Sequence, residues 1–158
     1  MSLADTHGIT VAFNQAKKSY NEGGIPIGSS LFNSRTGAQL GAGHNERVQK
    51  ASPTLHAEIA ALENTGRLRA AVYRECTLVR ELDSYTSNSP CSMCTGAVLL
   101  YGIPRVVIGE NSNFKGEEDL LRSRGVEVVV LDNPECTELM ARFIKEKPEL
   151  WNEDIGET

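Results

Sequence analysis

Cysteine is scarce in this chain, four in 158 residues, and two of the four lie three apart. That is no disulfide framework, and it suits a reducing compartment. Basic residues are outnumbered, 16 against 21 acidic, for a net charge of −5. A phosphate backbone is therefore not expected as the main partner, and no nucleic acid is predicted. No apolar run reaches membrane-spanning length, and the first residues lack a charged stretch leading into an apolar segment. A cytoplasmic chain with no membrane partner is expected. Internal repeats, linkers and low-complexity segments are absent too, so residues 1–158, with 40% hydrophobic content, read as one domain with a real core.

What is present is concentrated in two stretches. Ser89 to Val98 reads SPCSMCTGAV, and Thr54 to Glu63 reads TLHAEIAALE. If a helix starts after Pro90, Cys91 and Cys94 fall one turn apart on one face, a spacing that suits two sulfur ligands on one metal. Ser89 is the predicted cap and Pro90 the first helical residue, with the helix dipole lowering both thiol pKa values. In the earlier stretch His56 and Glu58 sit two apart near another predicted helix start, with Thr54 or Ser52 as cap. His56, Cys91 and Cys94 leave a tetrahedral zinc one ligand short, and an open position for water distinguishes catalytic from structural zinc. Glu58 then stands where it can move a proton to and from that water. His-x-Glu followed by Pro-Cys-x-x-Cys is the signature of zinc-dependent nucleobase deaminases.

Taken in order, residues 1 to 7 read as a disordered lead. Ile9, Ala12, Phe13, Ala16 and Tyr20 recur at helical spacing, and Asn21 to Gly24 ends that helix. Ile25 to Phe32 is a predicted strand, and Asn33 to Ala38 a hairpin turn into a short strand ending near Gly43. His44 reads as a loop residue, and Asn45, from spacing alone, as a turn residue or a group presented at a strand end. The run Cys76 to Val79 is a predicted central strand, in which Cys76 is a buried thiol or a rival fourth ligand. The second ligand helix is apolar nearly all round and stops at Gly102 and Pro104. Arg105 to Gly109 is a strand, Gly116 to Arg124 a short helix, Val126 to Leu131 a buried parallel strand. Cys136, Leu139, Met140, Phe143 and Ile144 share a helical face. The alternation of helix and strand predicts an α/β sheet sandwiched between helices.

LHAE, SPCSMCTGA, YGIPRVVIGENSNF and the tail WNEDIGE closely resemble the fungal cytosine deaminase branch of the cytidine deaminase superfamily, and the match runs over nearly the whole chain. The resemblance implies a three-layer α/β/α sandwich with a five-stranded mixed sheet, a homodimer, and zinc-dependent hydrolysis of cytosine to uracil and ammonia in pyrimidine salvage. It places the zinc ligands on His56, Cys91 and Cys94 and the proton shuttle on Glu58. Asn45 and the backbone N–H of Ala57, where the family typically has glycine, would hold the ring amide edge. The Ser89 carbonyl and the Asp154 carboxylate would accept from the exocyclic amine. Phe114 and Trp151 would cover the base and Ile27 line the pocket. Without the resemblance, Trp151 reads as a packing anchor and Asp154 as a solvated tail charge.

The chain departs from that pattern in one place. Val79 to Ser84 reads as extra sequence, expected to loop out at the strand's end, because a one-residue slip within the strand would reverse its faces. Asn88 stands where the family has an apolar residue beside the pocket. Two other readings stay open: a relative acting on another amino-substituted ring, such as guanine or adenosine in tRNA, and a zinc-stabilised scaffold domain closed by Cys76 or Cys136.

Overall fold

The structure is a computed structural model and describes residues 3–81, 90–112 and 116–156. The apolar repeat from Ile9 to Tyr20 lies on helix α1 (Leu3–Asn21), which starts earlier than the sequence suggests. Its first turn is pinned by charge: Asp5 is buried and accepts from Arg105 at 2.5 and 3.3 Å. The expected disordered lead is corrected accordingly from residue 3 onward.

Strand β1 (Gly28–Asn33) begins three residues later than predicted. Ile25 and Ile27 are fully buried, but they pack against the C-terminal helices rather than joining the ladder. Gly28 sits so close to α1 that a Cβ would lie 1.9 Å from the Ala12 carbonyl oxygen, which explains glycine at the strand's entry. In the turn that follows, the Asn33 side chain accepts from the N–H groups of Arg35 and Thr36, and Gly37 takes the left-handed conformation. Strand β2 (Gln39–His44) returns antiparallel. His44 closes that strand and is buried; it is not the loop residue expected, because its ring packs between the Asn45 carbonyl and Glu22.

Three helices follow, α2 (Arg47–Lys50), α3 (Ala57–Thr65) and α4 (Ala70–Tyr73), leading to β3 (Cys76–Glu81). The second half of the chain alternates α5 (Ser92–Tyr101), β4 (Arg105–Ile108), α6 (Glu118–Ser123), β5 (Glu127–Val130), α7 (Pro134–Glu146) and α8 (Pro148–Ile155). The sheet order is β2-β1-β3-β4-β5. β1 is antiparallel to both β2 and β3, and β3, β4 and β5 run parallel, so the sheet is mixed as the resemblance implied.

Strand alternation divides the core into two faces. Leu31, Leu78, Val106 and Ile108 pack with Val98 of α5 and Leu121 of α6. Their neighbours Phe32, Val79 and Val107 pack on the other face with Ile9 of α1 and Cys136 of α7. Helices therefore cover both faces, giving three layers. β3 corrects one expectation, since Val79, Arg80 and Glu81 do not loop out. They continue the strand in register with Ser30, Ser29 and Gly28, and Val79 and Arg80 pair in turn with Val107 and Ile108. Val79 is fully buried, so its hydrophobic packing holds it in the sheet. Leu82 to Ser84 and Asn88 lie outside the described residues.

Candidate metal and base-binding site

Both ligand stretches open helices, though not with the caps the sequence suggests. His56 is itself the N-cap of α3, with extended backbone, and Cys91 is the N-cap of α5. Neither makes a side-chain capping bond, so both side chains are free to project from helix starts toward one another. Ser52 instead stabilises the preceding turn, accepting from the N–H groups of Thr54 and Leu55. Ser89 lies outside the described residues.

Cys94 lies one helical turn past Cys91, and the His56, Cys91 and Cys94 donor atoms all lie within 4.8 Å of one another. Nδ1 of His56 is 3.6 Å from the Cys91 Sγ, close to the separation of two ligands on a tetrahedral zinc. No other cluster of three such groups occurs among the described residues. Cys76 and Cys136 are buried in the apolar core and are not part of that cluster.

The charge states suit a metal. Hydrogen bonding to Cys94 pulls the Cys91 thiol down to about 3, helped by His56 and against the effect of burial. Its partner Cys94 moves the opposite way, held well above the usual thiol range by that same bond and by burial. Burial disfavours the His56 imidazolium, but the bond to Cys91 and the charges of Asp154 and Glu58 more than offset it and raise its pKa. One thiolate, one retained thiol proton and a basic imidazole form a donor set from which a soft or borderline cation displaces protons. Nitrogen and two sulfurs at these separations fit zinc.

Beside His56 and Cys91 lies a cavity of about 420 Å³. Its wall brings together residues far apart in the chain, among them Ile27, His56, Arg80, Cys91, Trp151 and Asp154. Trp151 and Asp154 come from α8, and both are buried. The packing-anchor reading of Trp151 is thus compatible with its position, whereas Asp154 is no solvated tail charge. Asp154 accepts from the Asn45 side-chain amide at 3.0 and 3.2 Å and from Nη1 of Arg47 at 2.8 Å, and its Oδ1 is 3.8 Å from Nε2 of His56.

Asn45 is fully buried, and its Oδ1 accepts from the Arg47 backbone N–H. The turn role is thus seen directly, and the Asn45 amide reaches the cavity wall only through Asp154 and Arg47. Ala57, fully buried, is the first residue of α3, where a backbone N–H has no intrahelical acceptor. Glu58 is fully buried one residue on, and its Oε1 forms an ion pair with Nη1 of Arg80. Sequence reasoning assigned Arg80 and Arg47 no role; inward-facing strand parity is the only signal that marks Arg80, and it requires the register of β3. Phe114 lies outside the described residues.

The zinc-binding region of cytidine and deoxycytidylate deaminases matches residues 4–110. A cytosine deaminase of Candida albicans is 60% identical over 157 residues, covering 99% of this chain and 100% of the relative. A tRNA-specific adenosine deaminase of Streptococcus pyogenes is 31% identical over 116 residues, 73% of this chain and 69% of that protein. Among solved structures, a guanine deaminase from Nitrosomonas europaea aligns at a TM-score of 0.66 with 21% identity, over 86% of this chain and 82% of the other. A tRNA:A34 deaminase aligns at 0.65 with 22% identity, over 85% and 99%. At that identity the two structures show the shared fold alone.

Proposed function

Because this chain belongs to the cytidine and deoxycytidylate deaminase family of zinc-binding enzymes, we propose that it hydrolyses free cytosine to uracil and ammonia. The observation that carries the substrate reading is that Trp151 and Asp154 of α8 line the same cavity as His56 and Cys91. An apolar ring and a carboxylate over a cavity of about 420 Å³ suit a flat amino-substituted ring and leave little room for a polymer.

Zinc, which His56, Cys91 and Cys94 would hold, would supply Lewis acidity that lowers the pKa of a bound water toward neutrality. Glu58 would take a proton from the attacking water, deliver it to the ring nitrogen beside the amine-bearing carbon and pass the second proton of that water to the departing amine, so that ammonia leaves as the water oxygen becomes the carbonyl. Asp154 accepts from the amine, and Asn45 with the Ala57 N–H fixes the amide edge of the ring. Ile27 and Trp151 supply apolar walls that exclude water. Ser89 and Phe114 complete the proposed contacts, as a carbonyl acceptor and a ring cover.

The wider setting belongs to the same proposal. Four free cysteines support a reducing cytoplasm, among the described residues no helix is long and apolar enough to cross a membrane, and the reaction fits pyrimidine salvage. A homodimer is supported by exposed Leu100 and Tyr101 on α5, which border a largely apolar groove beside Ile59 and Leu62. Ammonia release from zinc-loaded protein offered cytosine, cytidine, guanine and adenine in parallel, with a chelator-stripped control, tests the function. Zinc-dependent release from cytosine alone is the expected result. Turnover of guanine or adenine with silence on cytosine would overturn the substrate and keep the zinc chemistry.

A further inference from the structure

Arg80 stands outside the metal signature, in the stretch that the sequence reads as additional. Strand β3 nevertheless carries it inward. Alternate strand residues share a face, so Arg80 points as Leu78 does, toward the helices that bear the metal ligands. Its side chain is 3% exposed, that of Glu58 1%, and the two form an ion pair. Arg80 also lines the cavity that His56 and Cys91 line.

The pairing has a particular form. Neither carboxylate oxygen of Glu58 accepts a well-directed hydrogen bond, and Nε and Nη1 of Arg80 donate none. A buried carboxylate needs a compensating charge, and among the described residues Arg80 is the only cation paired with it. The contact supplies the charge that the buried carboxylate needs. Guanidinium does not lose its proton in proteins, so the charge it brings to the pair is permanent.

The geometry points to Arg80 as a positioning residue for the reaction, whose guanidinium, ion-paired with the buried Glu58 carboxylate and lining the cavity of His56 and Cys91, holds that carboxylate in place. The inference rests on the deamination reading above, with Glu58 as its proton shuttle.

The test compares Arg80→Met and Arg80→Lys with the unaltered chain in zinc content, thermal unfolding, uracil affinity and cytosine kinetics. Trp151, the single tryptophan, lines the cavity, so its fluorescence reports uracil binding without turnover. Arg80→Met is expected to keep one zinc per chain and uracil affinity, while kcat falls about 100-fold, the scale of a lost proton-transfer contribution, with KM nearly unchanged. Arg80→Lys, which restores charge without the planar fork, is expected to recover part of that loss. Where Arg80→Met does not fold, Arg80→Gln carries the same prediction. A normal kcat in a folded variant would overturn the inference, as would loss of zinc and uracil binding in step with kcat, which marks a merely structural residue. If the unaltered zinc-loaded chain is silent on cytosine, the deamination reading fails first and the inference with it.

Discussion

The side-chain amide of Asn45 donates to both carboxylate oxygens of Asp154, joining the end of β2 to the C-terminal helix across 109 positions of chain. The same carboxylate receives Nη1 of Arg47, so three donor contacts converge on one buried acid. An acceptor so organised costs little further reorganisation when a substrate amine arrives.

Replacing Asp154 by Asn removes the charge and turns one acceptor oxygen into a donor. Either Asn45 Nδ2 or Arg47 Nη1 then faces an NH2 group, and a hydrogen bond to a charged partner is worth about 1.5–3 kcal/mol. We expect kcat/KM for cytosine to fall about 10- to 100-fold while zinc content stays at one per chain. Ammonia release and metal analysis on the same preparation check both parts. Undiminished turnover would show that α8 does not contact the reacting ring.

Arg47→Met probes the same network from its cationic side. Its contact with Asp154 is the buried one, whereas Glu153 is 59% exposed and its pairing contributes little. The expected loss is about 1–3 kcal/mol of stability, concentrated at α8. KM for cytosine should rise more than kcat falls, and protease should nick the chain near Pro148 sooner than in the unaltered protein. Kinetics with limited proteolysis separate this from a general loss of fold, which would lower both parameters through the active fraction.

How much of this was legible in the sequence depends on the range over which each feature is determined. His56, Cys91 and Cys94 could be read directly as a metal cluster, because metal chemistry restricts residue type and helix geometry restricts spacing. The caps were misassigned because His56 and Cys91 occupy the N-cap positions themselves, a choice made by the site and not by capping propensity. Trp151 and Asp154 carry no periodic signal; only the resemblance of the tail pointed to them. The ion pair of Arg80 with Glu58 depends on which face of β3 looks inward, and that parity is fixed by pairing with β1 and β4, far off in the chain. The early start of α1 likewise depends on the distant Arg105.

Gly43 links strand packing to the metal site. A Cβ there would lie 2.8 Å from the carbonyl carbon and Cβ of Ala60, on the helix that His56 opens. Backbone cannot give way as a flexible side chain can, so Gly43→Ala must push α3 from the sheet. Overpacking of this kind costs about 1–3 kcal/mol. The expected outcome is a lower midpoint of thermal unfolding together with weaker zinc binding, since His56 moves with its helix. Zinc titration beside a thermal melt checks both; an unchanged zinc affinity would show that the ligand set tolerates movement of α3.

Cys76 decides between an open and a closed metal site. It is fully buried in the core, and its Sγ donates to the Val72 carbonyl oxygen at 3.1 Å. Burial, with the Glu75 charge adding to it, pushes this thiol from its ordinary 9.0 up to about 11. Cys76→Ser should therefore retain one zinc per chain, and the unaltered Cys76 should resist thiol reagents at neutral pH. The sign of the pH effect follows from which form the fold prefers. Because the folded pKa lies above the unfolded one, the neutral thiol favours folding; that contribution is complete below pH 9.0 and is lost as pH rises through about 11. Serine does not titrate there, so the stability of the unaltered chain relative to Cys76→Ser should decline across that window, as measured by denaturant unfolding on either side of it. Loss of zinc in Cys76→Ser would instead identify a fourth protein ligand, and a site so closed would have no position left for water.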